Sequence, residues 1–192
     1  MRTTIVLVLL ATLLGCASGP LSVPASEGMG LGDNDAVLYG DNYVFAVARP
    51  QGWTVDAESA KDLGVDAVFF PAGSSWQGPV TMYPRIWQKA ASLTLADVMD
   101  DDLQQYRQAN PSVAVEEGSS ISISPSISGR VRYFKSATPE LHEAVAYIDQ
   151  SQTVAVLVLR ATTEPRFKEA LPAFEAFVRS YRALSLPSRR PA

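Results

Sequence analysis

One cysteine and one histidine in 192 residues remove several kinds of chemistry at once. Cys16 has no second thiol in the chain to pair with, so no disulfide within the chain staples the fold, which must be held by packing alone. The single histidine, His142, leaves no Cys/His cluster for zinc and allows a Ser-His-Asp centre only if it is built around that residue. A basic excess is also missing: 16 Lys and Arg against 20 Asp and Glu give a net charge of −4 with both signs well mixed. Nucleic-acid binding wants a basic stripe, so that partner class is excluded. No Gly-rich phosphate loop opens a helix, and no cofactor is implied. Long apolar runs are absent too, because the longest, Ile5 to Leu14, falls far short of the roughly 20 residues needed to span a bilayer.

What that run does fit is an export signal. Arg2 supplies a basic start, "IVLVLLATLL" the apolar stretch, and small residues follow. Leu13, Leu14, Gly15 and Cys16 resemble the lipobox of bacterial lipoproteins, with Leu14 where smaller residues are commoner. The resemblance implies that residues 1–15 are removed and that the Cys16 thiol and amine are acylated, palmitate being a typical chain. Three acyl chains hold a protein stably, whereas one gives only marginal, reversible binding. Ala17 and Ser18 follow the cysteine, and neither is the aspartate that retains enteric-type lipoproteins at the inner membrane. The expected address is therefore the periplasmic face of the outer membrane.

Residues 16–35 are dense in Gly, Ser and Pro and read as a lipidated, flexible tether. Residues 36–186 then form one domain of ordinary size, and 187–192 a frayed, Pro-flanked tail. Within the domain, "YVFAVAR" (43–49) is apolar on both faces, as expected of a covered strand. "VDAVFFP" ends at Pro71, and in "VTMYPRIW" the residues Val80, Met82 and Ile86 share a face. Pro84 cannot donate to a ladder, so that strand is expected at an edge or a bulge. After "SVAVEE" and a Ser-rich stretch, "GRVRYFK" sets Val131 and Tyr133 against Arg130 and Arg132, the pattern of a half-exposed strand. Residues 141–148 and 153–161 read as a hairpin whose second arm is central.

Two helices complete the pattern. Thr94 and Asp97 form a near capping box before a stripe of Leu95, Val98, Met99, Leu103 and Tyr106, which ends at Asn110. Pro165 opens the second helix, whose apolar stripe runs from Phe167 to Tyr181. Pro172, on its wet side, is expected to kink or split it. Strands covered on both faces plus two amphipathic helices imply an α+β fold: a mainly antiparallel sheet flanked by helices.

That order resembles the PsbP-like fold, whose members include lumenal photosystem II subunits, a Ran-binding nuclear-transport factor and small exported bacterial proteins. The residues carrying it are Tyr43 and Phe45, then Pro50, Gly52 and Trp53, and finally Phe174, Phe177, Val178, Ser180, Tyr181 and Arg182. The resemblance implies an α/β/α sandwich and a binding or assembly role without catalysis; it carries over no binding residue.

Candidate chemistry is sparse. His142 reads as a rim or solvent histidine with Glu143 pointing to the opposite face. Asp100, Asp101 and Asp102 do not converge on a metal, since successive helical side chains diverge by about 100°. Asp102 falls inside the apolar stripe, so it needs a basic partner, a rim position or a raised pKa. Trp76, on the loop "PAGSSWQGP", either folds back on the core or meets a partner; with Arg130 and Arg132 it is a candidate partner contact. Trp53 is expected in the core. The leading expectation is a lipid-anchored binding or assembly module that takes a protein partner. A small-ligand or lipid carrier with a cleft between sheet and helix is the alternative, and a hydrolase with an unrecognised site the third.

Overall fold

The computed structural model describes residues 34–40, 43–137 and 140–184. The expected signal peptide (1–15), Cys16, the tether up to residue 33 and the tail (187–192) lie outside the described residues. Strands β1 (Asp35–Gly40) and β2 (Tyr43–Ala48) come first. The chain then turns at Gly52, whose φ of 76° is a conformation that suits glycine, and Trp53 N–H donates to the Pro50 carbonyl at 3.1 Å. Next come β3 (Trp53–Asp56), a short 3-10 turn (Ser59–Leu63), β4 (Val68–Pro71), β5 (Val80–Gln88) and helix α1 (Leu95–Ala109). The remainder is β6 (Ala114–Glu117), β7 (Ile121–Ser124), β8 (Ile127–Ala137), β9 (Glu140–Asp149), β10 (Thr153–Ala161), helix α2 (Glu164–Arg179) and β11 (Arg182–Ala183).

The main sheet runs β3-β4-β5-β10-β9-β8-β6, with β7 also paired to β8, and its pairings are antiparallel. Alternation along the strands sends one set of side chains to each helix. On β10, Val154, Val156 and Val158 pack with Val98 and Met99 of α1, while Ala155, Leu157 and Leu159 pack with Phe174, Phe177 and Val178 of α2. This is the expected α/β/α sandwich. Small side chains under α2 let it sit close: a Cβ added at Gly129 would lie 3.2 Å from Val178 Cγ1. β1, β2 and β11 form a separate three-stranded sheet whose Leu38, Phe45 and Val47 join the α2-side core.

Several expectations are met in detail. The hairpin turns where its polar residues stand, and β10 lies centrally between β5 and β9. The Thr94–Asp97 capping box is complete in both directions, and Asn110 closes α1. Trp53 is in the core. Four features differ. β5 is not an edge strand, since it lies between β4 and β10, but its β4 pairing is confined to Phe69 and Met82, so Pro84 stands on a stretch paired on one side only. Helix α2 runs unbroken through exposed Pro172, where the orphaned carbonyl one turn back faces water instead of protein. The Ser-rich stretch is a hairpin, with Ile121 buried and Ile123 and Ile127 against the core. And β1 begins at Asp35, inside the span read as tether.

Candidate functional site

Helix α1 covers only part of its face of the sheet. Beside it, β5 presents Thr81, Tyr83 and Arg85, and β10 presents Arg160, which is paired across the ladder with Thr81. The loops around Val65 and Trp76 rise over these residues. Together they enclose a cleft of about 530 Å³ whose walls include Trp76, Gln77, Tyr83, Arg85, Arg160 and Thr162. Trp76 is half-buried and folds back on a small cluster of Ala60, Val68 and Phe70, so one edge of the indole packs inward while the residue still lines the cleft.

Two carboxylates lie beneath the arginines. Asp102, 1% exposed, accepts from Tyr147 Oη at 2.6 Å and from Arg85 Nη2 at 3.3 Å. The basic partner that its place in the apolar stripe required is therefore Arg85. Burial works against the Arg85 charge, and the Asp102 carboxylate, then the neighbouring tyrosines and Glu143, outweigh it and hold the guanidinium above its ordinary value. Its Nε is buried without a hydrogen-bond partner. Glu143 accepts from Tyr106, whose ring stacks on Phe134 at 3.9 Å, and lies 3.8 Å from Arg160 Nε. Burial raises the Glu143 pKa, against the pull of Tyr106, Arg160 and Arg85. Tyr83 is pushed up to about 12, first by burial and then by the Glu143 charge. The cleft thus has cations and an aromatic at its surface, with their counter-charges behind them. It is arranged to hold an anion beside an apolar group.

The other candidates fall elsewhere. Arg130 is exposed, 3.9 Å from Glu117. Arg132, expected on a half-exposed face, is instead 8% exposed. Its Nε meets Glu117 at 2.6 Å, Nη1 donates to the Met99 carbonyl at 2.5 Å, and Nη2 meets Asp100 at 3.0 Å. The reason is that α1 lies over this part of β8, and Arg132 ties the helix to β8 and β6. Asp100 and Asp102 therefore turn to different arginines. Among the described residues no three His, Cys, Asp or Glu side chains are grouped to hold a metal ion.

His142 corrects a second expectation, being 5% exposed and not solvent-facing. It points to the α2 side of β9, with Nε2 3.2 Å from Glu140 Oε1 and its ring 6.0 Å from Phe167. It lines a second cleft of about 530 Å³ between the sheet and α2, where Lys135 and Lys168 both pair with Glu164. Arg85, Arg160 and Tyr83 were not singled out from sequence, although a signal existed: Asp102 demanded a cation, and Arg85 is the only one in β5.

No protein-family model matches the sequence, and no curated protein matches it. Solved structures do. The solution structure of cyanobacterial PsbP (CyanoP) from Synechocystis sp. PCC 6803 aligns with a TM-score of 0.51 at 16% identity, covering 84% of this chain and 100% of that one. A point mutant of the protein Mog1 aligns with a TM-score of 0.49 at 10% identity, over 78% of this chain and 95% of that one. The element order, the sheet flanked by a helix on each face and the likeness to CyanoP agree on the architecture: the fold of this chain is PsbP-like.

Proposed function

We propose that this chain is a non-catalytic binding module, held at the periplasmic face of the outer membrane by lipid on Cys16, that takes a protein partner at the Trp76 cleft. The observation that carries this reading is the cleft itself. It joins a half-buried tryptophan to two arginines, and the carboxylates that balance them lie behind the arginines. Tryptophan, tyrosine and arginine are the residues enriched where binding energy concentrates. The lipobox-like Leu13–Cys16 supports the anchor, and the PsbP-like fold is compatible with the role.

Trp76→Ala tests the site. The variant is expected to stay folded while in-cell crosslinking of the anchored protein to its partner weakens; unchanged crosslinking would refute the role of the cleft. Cys16→Ser tests the anchor, and a variant that stays in the membrane fraction at unchanged mobility refutes it. A second reading, a small apolar ligand, is favoured by the cleft between the sheet and α2, which Phe167, Leu171 and Tyr133 line around His142. Phe167→Ala is expected to abolish ligand retention if that reading holds and to leave partner capture intact.

A further inference from the structure

The proposed partner site has a chemistry that narrows its occupant. Among the residues lining the Trp76 cleft, Arg85 and Arg160 carry the only charges, and both are positive. Each has a buried carboxylate for balance, yet neither is fully engaged. Arg160 is 57% exposed and meets Glu143 only at 3.8 Å. Arg85 is 34% exposed and gives Asp102 one bond at 3.3 Å through Nη2; its Nε is buried, so the donors left for a ligand are those of its two terminal nitrogens. A guanidinium offers five donors in a planar fork, so most donors at both sites remain for a ligand. The buried Asp102 carboxylate holds the Arg85 guanidinium before anything binds, which lowers the ordering cost of binding there.

Spacing adds a second constraint. On neighbouring strands, Arg160 lies opposite Thr81 and Arg85 four residues further along β5, which separates their backbones by about 14 Å along the strand. Tyr83 stands between them on the same face, and Trp76 forms the facing wall. The cleft therefore offers two anion-binding points with an aromatic strip between. A single small anion engages only one of these points. An extended peptide with carboxylates flanking an apolar side chain engages both, because alternate residues of an extended chain point the same way and lie about 7 Å apart.

Resting on the reading of this cleft as the partner site, we infer that its occupant is an extended acidic segment of a protein, with carboxylates on Arg85 and Arg160 and an apolar side chain on Trp76 and Tyr83. Charge complementarity commits the site to this occupant over a basic or purely apolar one.

The test uses the full chain in detergent micelles and a fluorescent peptide Glu-Ser-Leu-Ser-Glu, whose two glutamates and central leucine share one face when extended, with empty micelles as blank and anisotropy as readout. Saturable binding is expected, weakening as salt rises. The glutamine-for-glutamate peptide is expected to bind at least tenfold more weakly. Trp76→Ala and the double variant Arg160→Gln, Glu143→Gln are expected to lose at least tenfold; the second exchange avoids stranding a buried carboxylate. Equal binding of the glutamine peptide, displacement by free glutarate at matched concentration, or no binding at about 1 mM peptide overturns the proposal. The wider reading fails separately. If in-cell partner capture needs Trp76 but is unmoved by the Arg160/Glu143 double variant, the cleft is still the partner site and only the acidic segment is wrong.

Discussion

Truncating Asp102 to alanine removes one carboxylate and strands two donors. Tyr147 Oη, on a fully buried residue, loses an acceptor at 2.6 Å, and Arg85 Nη2 loses one at 3.3 Å. Breaking a buried ion pair from one side costs about 3–5 kcal/mol, but Arg85 is 34% exposed, so water replaces part of what it loses and the figure falls toward 2. An unsatisfied buried hydroxyl adds about 1–3 kcal/mol, overlapping with the first loss. The expected total is about 3 kcal/mol, or a melting point about 6–12 °C lower for a domain of this size. Asp102→Asn keeps an acceptor for Tyr147 and is expected to cost about 1–2 kcal/mol. The triple variant Asp102→Leu, Tyr147→Phe, Arg85→Met removes every stranded group and is expected to return within about 1 kcal/mol of the parent. Urea unfolding with a constant slope reads all three. An Asp102→Ala loss below about 0.5 kcal/mol, or a triple variant no better than the single one, refutes the account of α1 docking through this pair.

Glu143 predicts a pH effect. Its folded pKa lies above the ordinary value of 4.5 because burial penalises the charge. Its stabilising contribution is thus fully present below that ordinary value and lost as pH rises through the raised one. Glu143→Gln should flatten stability against pH across that window; an unchanged slope contradicts it. Tyr83 should titrate at about 12 by ultraviolet absorbance, with the Tyr83→Phe variant missing that step. Gly129→Leu should lower stability by about 1–3 kcal/mol, since even a Cβ there lies 3.2 Å from Val178; a neutral result means α2 sits less tightly than described. Arg132→Ala frees Met99 O, Asp100 and Glu117 at once and should cost more than Arg130→Ala, as read by urea midpoints.

Where one physical signal dominated, the sequence was readable. Residues 141–161 are two apolar runs around a polar turn, and Thr94 with Asp97 can satisfy each other without tertiary help, so both were legible. β1 was not. It is short and stands next to Gly-rich chain, and it becomes a strand because β2 offers an edge to pair with, a non-local cause. The isoleucines of the Ser-rich stretch alternate inward, a signal that serine composition concealed. The cleft was legible only in part. Trp76 stood out as a large aromatic on a polar loop, whereas Arg85 and Arg160 gain meaning from a ladder that joins segments far apart in sequence. Arg132 looked exposed because periodicity along β8 marks a face but not what covers it.

The central claim is that the Trp76 cleft is where this protein meets its partner. It is tested most directly by placing a photo-crosslinking amino acid at position 77, on the cleft wall beside Trp76, and, separately, at exposed position 107 on α1, in the full chain in living cells. A discrete protein adduct from position 77, absent from position 107 and lost in the Arg160→Gln, Glu143→Gln double variant, is the predicted result. The same adducts from both positions, or none from position 77, would contradict it.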